Sequence, residues 1–179
     1  MLVMTSVAAS TLVASRLDAA DWPTYQHDAA RSGMTSEPWP ESPLAAWNWQ
    51  SPLRPQPAWD EPARWDGYNK SFNLKNRQVY DKVFHVAAVG DAVYFGSSVE
   101  DALYCLDAET GDVRWKFFTE GPVRLAPSVD NDRVYFGSDD GYAYCLDAVQ
   151  GNLIWKHRVA PQELRVPGNE RLISMWPVR

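Results

Sequence analysis

Three histidines, two cysteines and a scatter of carboxylates are the residues of this chain with chemistry to offer. His27, His85 and His157 make neither an HxH nor an HExxH pattern, so a metal site is not supported. No GxSxG, GxGxxG or phosphate-loop spacing occurs, which removes the usual local signatures of a serine nucleophile or a nucleotide site. Asp130-x-Asp132 and Asp139-Asp140-Gly141 have the carboxylate density of calcium loops, but the glutamate that completes such a loop is missing at the required spacing. Both stretches read better as hairpin turns. Cys105 and Cys145 sit at matching places in a repeat described below. A disulfide needs Cα atoms within about 7 Å, and sheets rotated about an axis hold matching positions further apart. Both cysteines therefore read as small buried apolar residues.

The chain that must position these groups has 179 residues and a net charge of −6, from 17 basic and 23 acidic residues. No basic run exceeds two residues, so a nucleic-acid partner is not expected, because phosphate neutralisation needs clustered Lys and Arg. Nine Trp and thirteen Pro suggest a β-rich, turn-rich chain and argue against a helix bundle. Residues 1–20 hold an uncharged apolar run, Leu2 to Ser15, followed by Ala19-Ala20, and resemble a signal peptide. No Lys or Arg precedes the run, and Asp18 departs from the cleavage pattern. The run is too short for a membrane span. Export to the periplasm or cell envelope is the expectation, with a docked tail as the alternative. No Cys precedes Cys105, so no N-terminal lipid-anchor cysteine is expected.

The chain repeats itself. VYFGS occurs at 93–97 and 134–138, YCLDA at 104–108 and 144–148, and Gly111, Trp115 and Lys116 recur as Gly151, Trp155 and Lys156. Each copy parses into four short strands. The first copy has Val86–Val89, Ala92–Ser97, Ala102–Asp107 and Asp112–Phe118. The second has Ala126–Val129, Arg133–Ser138, Tyr142–Asp147 and Asn152–Val159. Alternation puts Val93 and Phe95 on one face and Tyr94 and Gly96 on the other. Asp140-Gly141 is a hairpin signal, since such turns need positive φ. Four antiparallel strands repeating every forty-odd residues describe a propeller blade, whose two faces only neighbouring blades can cover.

Ala108-x-x-Gly111-x-x-x-Trp115 and Ala148-x-x-Gly151-x-x-x-Trp155 resemble the tryptophan-docking motif of quinoprotein-type β-propellers. The block Tyr-Cys-Leu-Asp-Ala-x-x-Gly resembles the pyrroloquinoline quinone (PQQ) repeat, and the match covers residues 85–159. The opening DWPTYQHDAARSG resembles the strap before the first blade of such proteins. The resemblance implies an all-β fold: a propeller arc with two four-stranded antiparallel blades and an N-terminal strap with a clasp strand. It implies that the Trp of one blade lies flat on the bare peptide plane of the Gly in the next, so these six residues are structural.

The organisation expected is a possible signal peptide at 1–20, a Pro- and Trp-rich strap at 21–84 with a clasp strand near 43–49, blades at 85–125 and 126–160, and a linker at 161–179 leading into a further blade. A fragment of a longer propeller is the simplest account, with the missing blades on the same longer chain. Assembly of several chains into one ring is the alternative. Trp59 and Trp65 read as packing knobs or ligand contacts. Arg124 lies between the blades, where its guanidinium either meets a ligand in the central channel or makes an inter-blade ion pair. It is the weak candidate for cofactor binding. Arg171 and Arg179 share the ambiguity, and Arg31 reads as pinning the strap.

Two functions follow from the resemblance. One is a non-catalytic binding or scaffold module with protein or carbohydrate partners at its rim loops. The other is part of a PQQ- and calcium-dependent dehydrogenase of alcohols or sugars. Such enzymes carry a vicinal disulfide and a Glu, Asn and Asp set beside the quinone. No adjacent Cys pair and no complete set of that kind occurs in this sequence. A role in outer-membrane protein assembly is a third possibility.

Overall fold

The computed structural model describes residues 20–38, 41–53, 85–168 and 171–178. All but the last residue of the possible signal peptide, and Trp59, Trp65 and Arg179, lie outside them.

The described chain forms ten strands and no helix. They are β1 (Val86–Val89), β2 (Ala92–Ser97), β3 (Ala102–Asp107), β4 (Val113–Phe118), β5 (Ser128–Asp130), β6 (Arg133–Gly137), β7 (Tyr142–Asp147), β8 (Leu153–Arg158), β9 (Arg165–Gly168) and β10 (Arg171–Ser174). The first four make one antiparallel sheet in the order β1-β2-β3-β4, the next four a second in the order β5-β6-β7-β8. This is the quartet pair that the repeat predicts. Even an irregularity is duplicated, with the register shifting at Cys105/Leu106 in one sheet and at Cys145/Leu146 in the other. The β9–β10 hairpin falls in a stretch read from sequence as a linker.

Turn chemistry sets the registers. Asn131 and Asp132 both take positive φ, 47° and 58°, between β5 and β6, as a type I′ turn requires. Asp107 Oδ1 accepts the N–H groups of Glu109 and Thr110, each at 2.9 Å, and Asp147 Oδ1 those of Val149 and Gln150 at 3.0 and 2.7 Å. These carboxylates satisfy backbone donors that would otherwise be unpaired where the chain reverses before β4 and β8.

The main core lies between the sheets. Leu103 and Cys105 of the first sheet are buried with Val134, Phe136, Tyr144 and Leu146 of the second, and Trp115 and Phe117 pack against them. Phe136 stacks on Tyr144 at 5.1 Å, and Phe117 meets both rings edge-on at 6.4 and 5.9 Å. The opposite face of the first sheet repeats the pattern. Phe95 stacks on Tyr104 at 5.2 Å, and Trp49 meets both edge-on at 4.7 and 5.3 Å. Trp49 thus does for the first sheet what Phe117 does for the second.

Residues 43–49 nevertheless form no strand. A ladder needs a hydrogen-bonded neighbour, and no strand lies beside this segment among the described residues. The strap covers the inner edges of both sheets. Trp22 bridges to Ala88 of β1 through two backbone bonds of 2.6 and 2.9 Å, and Pro23 accepts the N–H of Val129 in β5 at 2.8 Å. Thr24 and Ser128 share a hydroxyl bond of 2.7 Å, and Asp21 Oδ1 accepts the N–H of Gly90 at 2.7 Å.

Candidate functional site

Three places bring together the residues that sequence reading singled out. The first is the contact between sheets. Gly151 has φ +70°, and its bare Cα faces the Trp115 ring so closely that an added Cβ would stand 2.5 Å from Cδ2. The Trp115 indole donates to the Ala148 carbonyl at 3.0 Å, and the Tyr94 hydroxyl reaches the same oxygen at 3.2 Å. Trp47 makes the same contact one step earlier: it lies on Gly111, φ +77°, and donates to the Ala108 carbonyl at 2.9 Å. Trp47 and Trp49 therefore stand toward the first sheet as Trp115 and Phe117 stand toward the second. Trp155 and His157 occupy the matching positions of β8. Trp155 is 40% exposed, with no glycine plane opposite it among the described residues. A hollow of about 380 Å³ beside it is lined by Ala143, Lys156 and His157.

The second place is the junction around Arg124. Its Nε donates to Asp139 at 2.6 Å, and Asp139 is nearly fully buried. Asp140 beside it is also buried. It accepts the Tyr144 hydroxyl, the Tyr142 N–H at 3.0 Å and the Glu120 N–H at 3.2 Å. Burial, then the Asp140 carboxylate, push the Tyr144 hydroxyl well above its ordinary range. The Asp-Asp-Gly stretch does turn the chain between β6 and β7, but it also anchors the inter-sheet linker. That second role was hidden in the sequence, because a turn carboxylate and a buried anchor look alike there. Gly137 and Gly96 were equally silent. Gly96 is closed over by Val123 and Gly137 by Val178, each backbone carbonyl 2.6 Å from where a Cβ would stand. The signal was present, since Pro122-Val123 recurs as Pro177-Val178.

The third place is a cleft of about 780 Å³ between the strap and the inner strands, lined by Tyr25, Asp28, Arg31, His85, Leu125 and Asp130 among others. Tyr25 and His85 meet edge-on at 5.6 Å. Gln26, His27 and Arg31 all take positive φ in the strap. Asp28 is bonded to the Ser32 hydroxyl at 2.6 Å and its N–H at 3.0 Å, and these bonds hold its carboxyl below the usual value. PQQ is a planar tricarboxylate. The lining of this cleft does not suit it, since one guanidinium, that of Arg31, faces two carboxylates, those of Asp28 and Asp130. No cluster of three or more His, Cys, Asp or Glu able to hold a metal ion occurs among the described residues. His27 is not a cleft-lining group; it packs edge-on against Trp22 at 4.9 Å.

The cysteines are free and buried. Burial pushes the Cys105 thiol up to about 11 and raises that of Cys145. No helix of the described residues is long and apolar enough to cross a membrane.

Comparison with known proteins follows the repeat. No curated protein matches the chain. Among solved structures, BamB from Moraxella catarrhalis is 24% identical with a TM-score of 0.37, over 40% of this chain and 22% of that one. The quinohemoprotein alcohol dehydrogenase from Comamonas testosteroni is 18% identical with a TM-score of 0.44, over 82% of this chain and 21% of that one. A europium-containing methanol dehydrogenase is 19% identical with a TM-score of 0.39, over 45% of this chain and 17% of that one. The chain thus spans about a fifth of the length of these structures. The family model described as outer membrane protein assembly factor BamB matches residues 49–173, more than half of the chain. With its two consecutive four-stranded blades, the chain belongs to this family of PQQ-repeat β-propeller proteins.

Proposed function

We propose that this chain is a non-catalytic binding module of the cell envelope, which presents a rigid pair of blades to a protein partner. In this reading residues 1–20 direct export, 21–84 strap the blades, 85–125 and 126–160 are the blades, and 161–179 lead onward. Trp115, Ala148 and Gly151 lock the blades together, Ala108 and Gly111 hold Trp47 of the strap, Trp155 is the matching residue of the second blade, and Arg124 serves the inter-blade junction through Asp139. One observation carries the reading: the two blades are locked face to face by the Trp115–Gly151 contact and tied at their inner edges by the strap. A rigid frame of this kind suits recognition by the loops it holds. The family's description as an assembly factor, and BamB among the similar structures, point to proteins as the partner class.

The test is photo-crosslinking in cells that export the chain, with the reactive residue placed at Val149, at Leu153 or in the strap at Tyr25. Discrete protein adducts from Val149 or Leu153 are expected. Absence of adducts at all three positions overturns the reading. In parallel, the purified chain is mixed with PQQ and Ca²⁺. A stoichiometric quinone spectrum with dye reduction would replace the module by a quinoprotein dehydrogenase.

A further inference from the structure

The strap does more than tie the blades, because it also walls a cleft. Trp22 bridges to Ala88 of β1, Pro23 accepts the N–H of Val129, and Thr24 shares a bond with Ser128, so the strap stands against the first strands of both blades. The cleft of about 780 Å³ has walls from the strap, from His85 just ahead of β1, and from the stretch between Leu125 and Asp130 that enters β5. Small-molecule sites run from about 300 to about 1,000 Å³. The strap wall is fixed in shape. The N–H groups of Gly33 and Arg31 bond to the carbonyls of Gln26 and Asp28, each at 2.9 Å, and Ser32 bonds Asp28 twice. Gln26, His27 and Arg31 hold φ of 58°, 79° and 54°. That conformation is unfavourable for an L-residue, and residues held in it cluster at ligand sites.

The lining combines charges of both signs with aromatic surface. Arg31 has no carboxylate within ion-pair distance among the described residues, although Asp28 and Asp130 line the same cleft. Each Asp28 oxygen accepts one bond from Ser32, and Asp130 accepts one from Asn131 Nδ2 at 2.7 Å. Both carboxylates therefore keep lone pairs for a ligand. Tyr25 is 47% exposed, and its edge-on contact with His85 at 5.6 Å leaves ring surface open. A charged ligand of either sign meets at least one group of its own sign here. A ligand rich in hydroxyls does not. Each hydroxyl both donates and accepts, so it can bond a guanidinium, which only donates, and a carboxylate, which only accepts. A sugar ring also carries a C–H face that packs on aromatic surface. We propose that this cleft binds a neutral saccharide, with its ring against Tyr25 and its hydroxyls bonded to Arg31, Asp28 and Asp130. The site is independent of the protein partner proposed above, which acts through other loops.

The probes are cellohexaose, maltohexaose and chitohexaose, titrated into the full chain and followed by NMR. At least one should bind with a Kd of about 1 mM or tighter, shifting the Leu125 methyl signals and the Tyr25 and His85 ring signals. Arg31→Gln should weaken it about tenfold or more, since a charge-assisted donor is lost. Tyr25→Ala should weaken it about threefold to tenfold, and Tyr25→Phe should restore most of the affinity, because the ring surface and not the hydroxyl is in use. Both side chains are on the surface, and circular dichroism checks that each variant is folded. Arg158→Gln, on the outer strand of the second blade, should leave affinity unchanged. No binding of any of the three at about 10 mM, shifts confined to other parts of the chain, or full affinity in both Arg31→Gln and Tyr25→Ala overturns the site. Oligogalacturonate and tetralysine serve as the charged controls, and tighter binding of either overturns the assignment to a neutral sugar. Protein crosslinks in cells are a separate readout. Their persistence without sugar binding would sink this site alone, and their absence beside sugar binding would sink the protein-partner reading alone.

Discussion

Replacing Gly151 with alanine perturbs the inter-blade contact at one atom. Two costs follow, and they can be separated. The first is conformational: Gly151 holds φ +70°, and a left-handed conformation costs an L-residue about 1–2 kcal/mol. The second is steric, since the new Cβ would lie 2.5, 2.7 and 2.9 Å from Trp115 Cδ2, Cε3 and Cγ. Those are rigid ring atoms held by the indole bond to Ala148, so the ring must move or the sheets must part. Overpacking of this kind costs about 1–3 kcal/mol. Gly151→Ala should thus lose about 2–5 kcal/mol in urea unfolding followed by circular dichroism. Trp115→Ala alone should lose about 3 kcal/mol, from ring burial and one hydrogen bond of about 1 kcal/mol. The Ala148 carbonyl keeps the Tyr94 hydroxyl and is not orphaned. In the Trp115→Ala background only the backbone cost of Gly151→Ala remains, about 1–2 kcal/mol, so the cycle should show a coupling of about 1–3 kcal/mol. A Gly151→Ala penalty that is the same in both backgrounds would refute the ring-on-glycine contact as its source.

Three further outcomes follow from the same geometry. Hydrogen bonds from Arg114, helped by the Thr110 and Glu109 N–H groups, hold the Asp107 carboxyl down to about 2. Its stabilising effect is complete above the ordinary value near 4 and is lost as pH falls through 2. Arg114→Ala should move the Asp107 titration upward by NMR, and an unmoved titration would exclude the ion pair as its main cause. Asp139→Asn should cost about 1–3 kcal/mol, because it removes the charge of the nearly buried carboxylate that accepts Arg124 Nε at 2.6 Å; a change under about 0.5 kcal/mol would show that the pair contributes nothing to the junction. Cys105 and Cys145, buried with raised thiols, should resist a thiol reagent at pH 8 until denaturant is added. Full labelling of the native chain would contradict their burial.

The fold was legible wherever one residue type has few uses. Glycine with a tryptophan at fixed spacing, and Asp-x-x-x-Gly at a chain reversal, admit few structures, and the strands came out within two residues at each end. Residues with several uses were not legible. Nothing in the sequence separates Asp139, buried under Arg124, from a solvated turn aspartate. In the segment read as a clasp, Trp47 and Trp49 take up the contacts of a fourth strand without its backbone ladder. Side-chain complementarity was readable in the residue pattern, whereas backbone pairing depends on a neighbour that the pattern does not name. The β9–β10 hairpin escaped because Pro167 argues against a paired strand in any reading by propensity.

The two blades also show how one sheet design is used for cohesion in one place and left open in another. Positions that face the neighbouring blade keep their chemistry in both copies: Phe95 and Tyr104 recur as Phe136 and Tyr144, and each stacked pair is closed by an aromatic edge from the preceding unit. The fourth strand obeys a different constraint. In β4, Trp115 and Phe117 must fill the space above the second sheet, and the cations alongside are neutralised by carboxylates of their own blade. In β8 the matching pair is Trp155 and His157, both exposed, and Lys156 lies over the Tyr142 ring at 4.7 Å. Packing on the following sheet therefore accounts for Trp115 and Phe117 of β4, and Trp155 and His157 of β8 hold the same two register positions in their own sheet, opposite Cys145 and Ala143 as the first pair stands opposite Cys105 and Leu103.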